Sequence, residues 1–427
     1  MDKCNYFQKI LIAIIFIFFA ISCGKDLPVT NQYSNSNIQS EYLIPQSEAL
    51  ESATLFLKVL KNKPLTKADN NLIVDNVEYL FSNAVYTKGG DDLPVCYLFN
   101  FKNNQGFVLI SADKRTKDLV FMASEKGSFS LNHTKGTTYE FIVDKIRLFQ
   151  KQFTAKPLLT KADDGSYTTV ETITSTITKG PLIETQWWQF HPFNFFINEN
   201  TDKKMGCATI AMGQILAYYQ KPLAIFVNGT NYVIDWNTIA NQTYPIPVST
   251  PDSWKMSVSY FLYGLGSLLG IDYTGNETGV NINQILNAYN SIGANYSYYD
   301  GYSTDNISSS INSNKPVQIN AWIVNSSTGH SWVIDGYKNL TIQISTYDAN
   351  GNIVENTPLN NYYNYTSYKK YWHCNMGFWY GLDSGYYQYS QDNLLDGVHM
   401  VYIYSSIFNT SEGDYNDRIK IVYDISI

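Results

Sequence analysis

Residues 207–219, "CATIAMGQILAYY", constrain this chain more than any other stretch. The segment is apolar nearly all round at helical spacing. A helix with no polar face has no side to offer water, so it has to lie at the centre of a fold. It stops before Lys221-Pro222, where a proline ends helical hydrogen bonding. Its first residue is Cys207, preceded by Gly206. Unpaired N–H groups and the macrodipole at a helix start favour an anion, so a thiol there is pushed toward thiolate. A small packing residue explains a cysteine at such a point equally well until a base is found for it.

The remainder of residues 181–427 supplies what a buried helix packs on. "SVSYFLYGLGSLLG" and "VNINQILNAYNSIG" read as two more helices. "KPVQINAWIV", "GHSWVIDGY", "LTIQISTYD", "YWHCNMGF" and "HMVYIYSSI" read as strands. Helices first and an antiparallel sheet afterwards predict a two-layer α+β domain, with the central helix packed on the sheet. Upstream, residues 41–155 predict a smaller α+β domain. "SEALESATLFLKVLK" places Ala49, Leu50, Ala53, Phe56, Leu57 and Leu60 at helical spacing; three β segments follow, then the helical "TTYEFIVDKIRLFQKQF". Residues 156–180, rich in Thr, Lys, Asp and Gly, are expected to be a cleavable linker. This stretch contains Leu159-Thr160-Lys161-Ala162-Asp163, the same five residues as Leu65 to Asp69.

At the N-terminus, Lys3 and Lys9 precede a short apolar run, the pattern of an export signal rather than a spanning helix. Cys23 after Ala20-Ile21-Ser22 resembles a bacterial lipobox. The expectation is a signal peptide over 1–22, lipidation of Cys23, a polar tether over 23–40, and an exported lipoprotein of the outer membrane or cell surface. Its lipid would then make the membrane a partner, and the cleaved protease domain would be free to be secreted. A net charge of -7 offers no basic footprint for nucleic acid. With Cys4 removed and Cys23 lipidated, Cys96, Cys207 and Cys374 remain. Their spacing gives neither a disulfide framework nor a metal pair, and no cofactor or metal is expected.

A base for Cys207 comes from five histidines: His133, His191, His330, His373 and His399. His330, in "STGHSWVIDGY", stands on a strand pattern after Gly329, and a rigid strand holds a base in register with a nucleophile on a packed helix. It lies 330 − 207 = 123 residues downstream, a separation in keeping with a distant Cys–His pair. Asn375 in "WHCNMGFW" is a candidate to hold the imidazole in one tautomer. Its neighbour Cys374 points to the other face and reads as core. Gln189 in "WWQFHPFN" could donate to an oxyanion beside the Cys207 backbone N–H.

On these residues the chain resembles the streptopain family of papain-like cysteine proteases, including members from Bacteroides-type bacteria. Gly206-Cys207-Ala208-Thr209-Ile210-Ala211-Met212-Gly213-Gln214 is similar to the family's nucleophile motif G-C-V-A-T-A-x-A-Q. Pro181-Leu182-Ile183 through Gln189, Pro192, Phe193 and Asn194 resembles "PLL…W-x-Q-x-x-P-Y-N", and Gly329 to Gly336 resembles G-H-A-F-V-I-D-G. Gly106 to Arg115 is close to the "GFVIVSADDR" of the inhibitory propeptide. The resemblance implies a papain-like fold behind an inhibitory propeptide. It implies Cys207 as nucleophile, His330 as base, Gln189 as oxyanion donor, Asn375 as orienter and Gly329 beside the substrate backbone. The partners implied are protein or peptide substrates, with an apolar residue favoured just before the one at the cut, and the chain's own propeptide as inhibitor.

One departure stands out: Met376 replaces the tryptophan that shields the Asn–His bond in the family. That substitution supports a rival reading, a weakened surface lipoprotein that binds peptide or an inhibitor in the cleft. Acyl or amide transfer by the same Cys–His–Asn groups is a third.

Overall fold

A computed structural model describes residues 43–61, 72–81, 93–116, 119–133, 138–154, 167–198, 203–240, 242, 246, 250–275, 278–322, 329–348, 350–355, 365–379, 398–409 and 419–427. The signal segment, Cys23, the tether and both copies of the LTKAD sequence lie outside them.

The front part runs α1 (Gln46–Leu60), β1 (Val74–Phe81), β2 (Pro94–Phe101), β3 (Phe107–Ser111), β4 (Val120–Ser124) and α2 (Thr138–Thr154). Strand β2 shows why it carries a helix on each face. Successive side chains on a strand point to opposite sides. Cys96 and Leu98 join a core with Phe141, Ile142 and Ile146 of α2, while Tyr97, Phe99 and Phe101 join a second core with Ala53, Phe56 and Leu57 of α1. The amphipathic spacing of α1 is the reason it buries Ala49, Ala53, Phe56, Leu57 and Leu60.

The larger part begins with β5 (Tyr167–Lys179) and contains α3 (Cys207–Tyr219), the hairpin β6 (Ala224–Val227) and β7 (Thr230–Val233), α4 (Asp252–Leu268) and α5 (Ile282–Ser291). Strand β8 (Asn295–Asp300) and helix α6 (Thr304–Asn312) follow, then β9 (Val317–Trp322), β10 (Gly329–Asp348), β11 (Tyr365–Trp379), β12 (Val398–Tyr404) and β13 (Lys420–Ser426). Helix α3 is central, as its apolar sequence requires: every residue from Ala208 to Ala217 is buried. A Cβ on Gly213 would sit 2.8 Å from Leu262 Cδ2, so glycine lets α4 approach closely. Val333 of β10 faces this helical core, whereas Trp332 and Ile334 face the opposite one, with Ile307 and Ile311 of α6.

Front and rear parts share one antiparallel sheet, ordered β1-β2-β3-β4-β12-β11-β10-β9-β13-β8 among the described residues. The seam is β4 against β12, pairing Ala123 with Tyr402 and Met122 with Ile403. Aromatic pairs cross it: Phe56 with Tyr371 at 4.9 Å, Phe149 with Tyr404 at 5.9 Å and Phe141 with Trp332 at 6.2 Å between ring centres. Lys338 of β10, almost fully buried, donates to the Leu60 carbonyl at the end of α1, and its Nζ lies 3.8 Å from Glu125.

Two expectations change. "GHSWVIDGY" and "LTIQISTYD" are one 20-residue strand, because Lys338 and Asn339 between them pair with β11 on one side and β5 on the other. Residues 167–179 of the expected linker are themselves strand β5, paired with β10 from Tyr337 to Asp348. Its run of Thr, Val and Ile is β-forming, but an edge strand whose side chains are mostly exposed carries no apolar alternation.

Candidate active site

Cys207 is the first residue of α3 and is half-buried and unpaired by disulfide. Gly206 before it has φ +90°, a left-handed value that favours glycine, and a Cβ there would lie 3.0 Å from Ile271 Cδ1. The turn is tied on both sides. The Met205 N–H donates to the Gln189 carbonyl at 2.8 Å, and the Tyr273 hydroxyl donates to the Met205 carbonyl at 2.8 Å. Burial pushes the Cys207 thiol up from its ordinary value. Backbone N–H groups of Ser331, Ala208 and Cys207 itself, and the Lys204 charge, pull it the other way.

Ser331, whose N–H lowers the thiol, directly follows His330 on β10. The His330 ring lies buried on β10, parallel to Trp332 within 13°, with Nε2 2.8 Å from the Met376 carbonyl oxygen. A carbonyl oxygen can only accept, so Nε2 carries the proton and the neutral ring keeps its lone pair on Nδ1. Burial lowers the imidazole to about 3, against the pull of that carbonyl and assisted by Lys204. Both directions favour an uncharged thiol and imidazole at neutral pH with the front part in place.

The side chain expected as orienter makes its hydrogen bonds elsewhere in this structure. Asn375 is fully buried, but its Nδ2 donates to the Thr185 carbonyl and to Gln214 Oε1, each at 2.8 Å, and its Oδ1 accepts from the Gly377 N–H at 3.3 Å. The group on His330 Nε2 is the backbone carbonyl of the next residue. A backbone group leaves no mark in a motif, so no side-chain pattern announces it. The Met376 side chain is fully buried in the core with Trp372 and Cys374, so what matters for His330 at this position is the main chain.

Gln189 lies nearly buried, carried by a segment anchored through Trp187 and Trp188, both fully buried. No hydrogen bond joins its side-chain amide to another described residue. Gly329, expected beside substrate, serves a different contact in this form: a Cβ there would lie 2.5 Å from Trp322 Cδ1. His373 belongs to a separate buried pair, with Nδ1 2.6 Å from Asp335 Oδ1, while Asp335 Oδ2 accepts from the Ile183 N–H at 2.9 Å. That pair fastens the start of the larger part to β10 and β11. The described residues contain no cluster of three or more His, Cys, Asp or Glu side chains that could hold a metal.

Residues 187–387 match the model of the Peptidase C10 family, and residues 41–146 match that of the Spi protease inhibitor. The chain carries a Peptidase C10 family domain. The inhibitor-type match covers α1 to the middle of α2, and the C10 match opens at Trp187, two residues ahead of Gln189. Among solved structures, a mutant fragment of Prevotella intermedia prointerpain A matches at 16% identity and TM-score 0.47, covering 81% of this chain and 98% of that one. The active wild-type Prevotella intermedia interpain A cysteine protease matches at 17% identity and TM-score 0.32, covering 62% and 98%. No curated protein matches. The chain is a cysteine peptidase with an inhibitor-type propeptide domain, and its fold is α+β.

Proposed function

We propose that this peptidase is an exported lipoprotein zymogen, anchored through Cys23, that hydrolyses peptide bonds with Cys207 as nucleophile and His330 as base. The observation that carries the catalytic part is the His330 Nε2–Met376 carbonyl bond beside a cysteine at a helix start. It leaves Nδ1 to take the Sγ–H proton. The thiolate attacks the scissile carbonyl carbon, and the oxyanion is held by the Cys207 backbone N–H and the Gln189 amide. The imidazolium returns the proton to the leaving amine. Water then hydrolyses the acyl-enzyme, with Nδ1 taking its proton.

The propeptide part is supported by the packing of Phe141 on Trp332, whose indole lies against His330. Cleavage between residues 154 and 167, before β5, opens the connection between propeptide and protease. Cys207→Ala in the full chain is expected to abolish casein hydrolysis, labelling by an epoxide thiol inhibitor and self-processing together. Hydrolysis that survives the substitution would contradict the assignment.

A further inference from the structure

Gln214 is fully buried on α3, two turns after Cys207. Its Oε1 meets donors from two other parts of the site. The Trp187 N–H lies at 3.0 Å, Asn375 Nδ2 at 2.8 Å and the Thr185 hydroxyl at 3.3 Å. The amide orientations are forced. A backbone N–H can only donate, so the Gln214 atom facing Trp187 is the oxygen. The Thr185 carbonyl can only accept, so the Asn375 atom facing it, at 2.8 Å, is the nitrogen. Asn375 Oδ1 is thereby turned to the Gly377 N–H, closing a tight turn in which Gly377 has φ +61°. That turn contains Met376, whose carbonyl holds His330.

We propose that Gln214 is a positioning residue for catalysis. Its side-chain oxygen locks the helix of Cys207 to the strand that aims the Met376 carbonyl at His330, and to the segment that carries Gln189. One acceptor thus sets the relative placement of nucleophile, base and oxyanion donor. Gln214 Nε2 has no hydrogen-bond partner among the described residues, and a buried donor left unmet is costly, so packing alone would favour an apolar residue. The oxygen is what the site needs from this side chain. Buried partners that orient the groups touching the reaction act in this way elsewhere.

The proposal rests on Cys207 and His330 carrying the reaction, and the test separates the two. The full chain is processed and assayed as wild type, Cys207→Ala, Gln214→Met and Gln214→Glu, with fluorescent casein as substrate and iodoacetamide as probe of Cys207 across pH. Gln214→Met keeps the length and loses the acceptor. A misplacement of about 1 Å in such a site costs up to ~100-fold, so kcat should fall roughly 10- to 100-fold with KM within about threefold. The alkylation profile of Cys207 should move toward that of an ordinary thiol, near pH 8.5. Gln214→Glu restores acceptor oxygens and should recover most of kcat. Should Gln214→Met fail to fold, Gln214→Asn, which withdraws the same oxygen by about one 1.5 Å bond, is expected to show the same kcat loss. Wild-type kcat and pH profile in the acceptor-lacking variant, or Gln214→Glu no faster than it, would overturn the proposal. An inert wild type, or an active Cys207→Ala, would instead overturn the assignment of Cys207.

Discussion

At the scale of residues, burial decides the resting state of the pair. Helix-start N–H groups favour a Cys207 thiolate, yet desolvation by burial outweighs them and the thiol stands above its ordinary value. The same burial depresses His330 from 6.5 to about 3. The native state disfavours the imidazolium, so the contribution of His330 to stability is complete above pH 6.5. As pH falls through 6.5 the unfolded chain takes up the proton first, and stability drains away until about pH 3. Three and a half pH units correspond to an upper bound of roughly 5 kcal/mol. Urea unfolding of the Cys207→Ala zymogen should show stability falling between pH 6.5 and 4, with His330→Gln flattening that slope; an identical slope in both would refute it. The contact at Met376 gives a second outcome. Because the main chain holds His330 and the side chain packs in the core, Met376→Leu should cost under about 1.5 kcal/mol and leave kcat within about threefold. A tenfold loss in the processed enzyme's kcat would show that the side chain itself shields the pair.

At the scale of elements, β5 changes where the zymogen can be cut. A protease needs several residues in extended, unpaired backbone, and residues 167–179 are paired along β10. Limited proteolysis of the Cys207→Ala chain should cut between residues 154 and 167 and spare Thr168 to Lys179, as read by N-terminal sequencing. Cuts inside β5 at low protease would contradict the pairing. How far the elements were legible follows from burial. Helix α3 declared itself because it is apolar on all sides, and α1 because it is apolar on one. Helix α6 is nearly all Ser, Asn and Asp, with Ile307 and Ile311 alone at i, i+4 and Ser303 capping its start, so its sequence resembles a loop. Within the site, Cys207, His330 and Gln189 are visible as side chains placed by motif. The carbonyl of Met376 is not, and Asn375 was legible as a site residue but not in its role, since that depends on which amide atom Thr185 and Gln214 select.

At the scale of the whole molecule, the front and rear parts are one folded body rather than two domains in contact. They share a sheet across β4 and β12 and two apolar cores. Phe56, Phe141 and Phe149 alone, at ~1.5–3 kcal/mol for each buried ring and ~0.5–1.5 for each aromatic pair, give on the order of 6–14 kcal/mol. This is of the same order as the entropic cost of holding a cut front part in place, about 4–15 kcal/mol, and the remaining contacts of the two shared cores add to it. A cut before β5 therefore leaves the propeptide seated over Trp332, and activity waits on its displacement. The measurement that bears most directly on this account is the rate of Cys207 alkylation by iodoacetamide at pH 7, in the intact chain, the nicked chain and the chain freed of residues 43–154. Slow, slow and fast is the result expected of a buried, uncharged pair that ionises only when uncovered. Equal rates in all three, or fast alkylation of the intact chain, would contradict it.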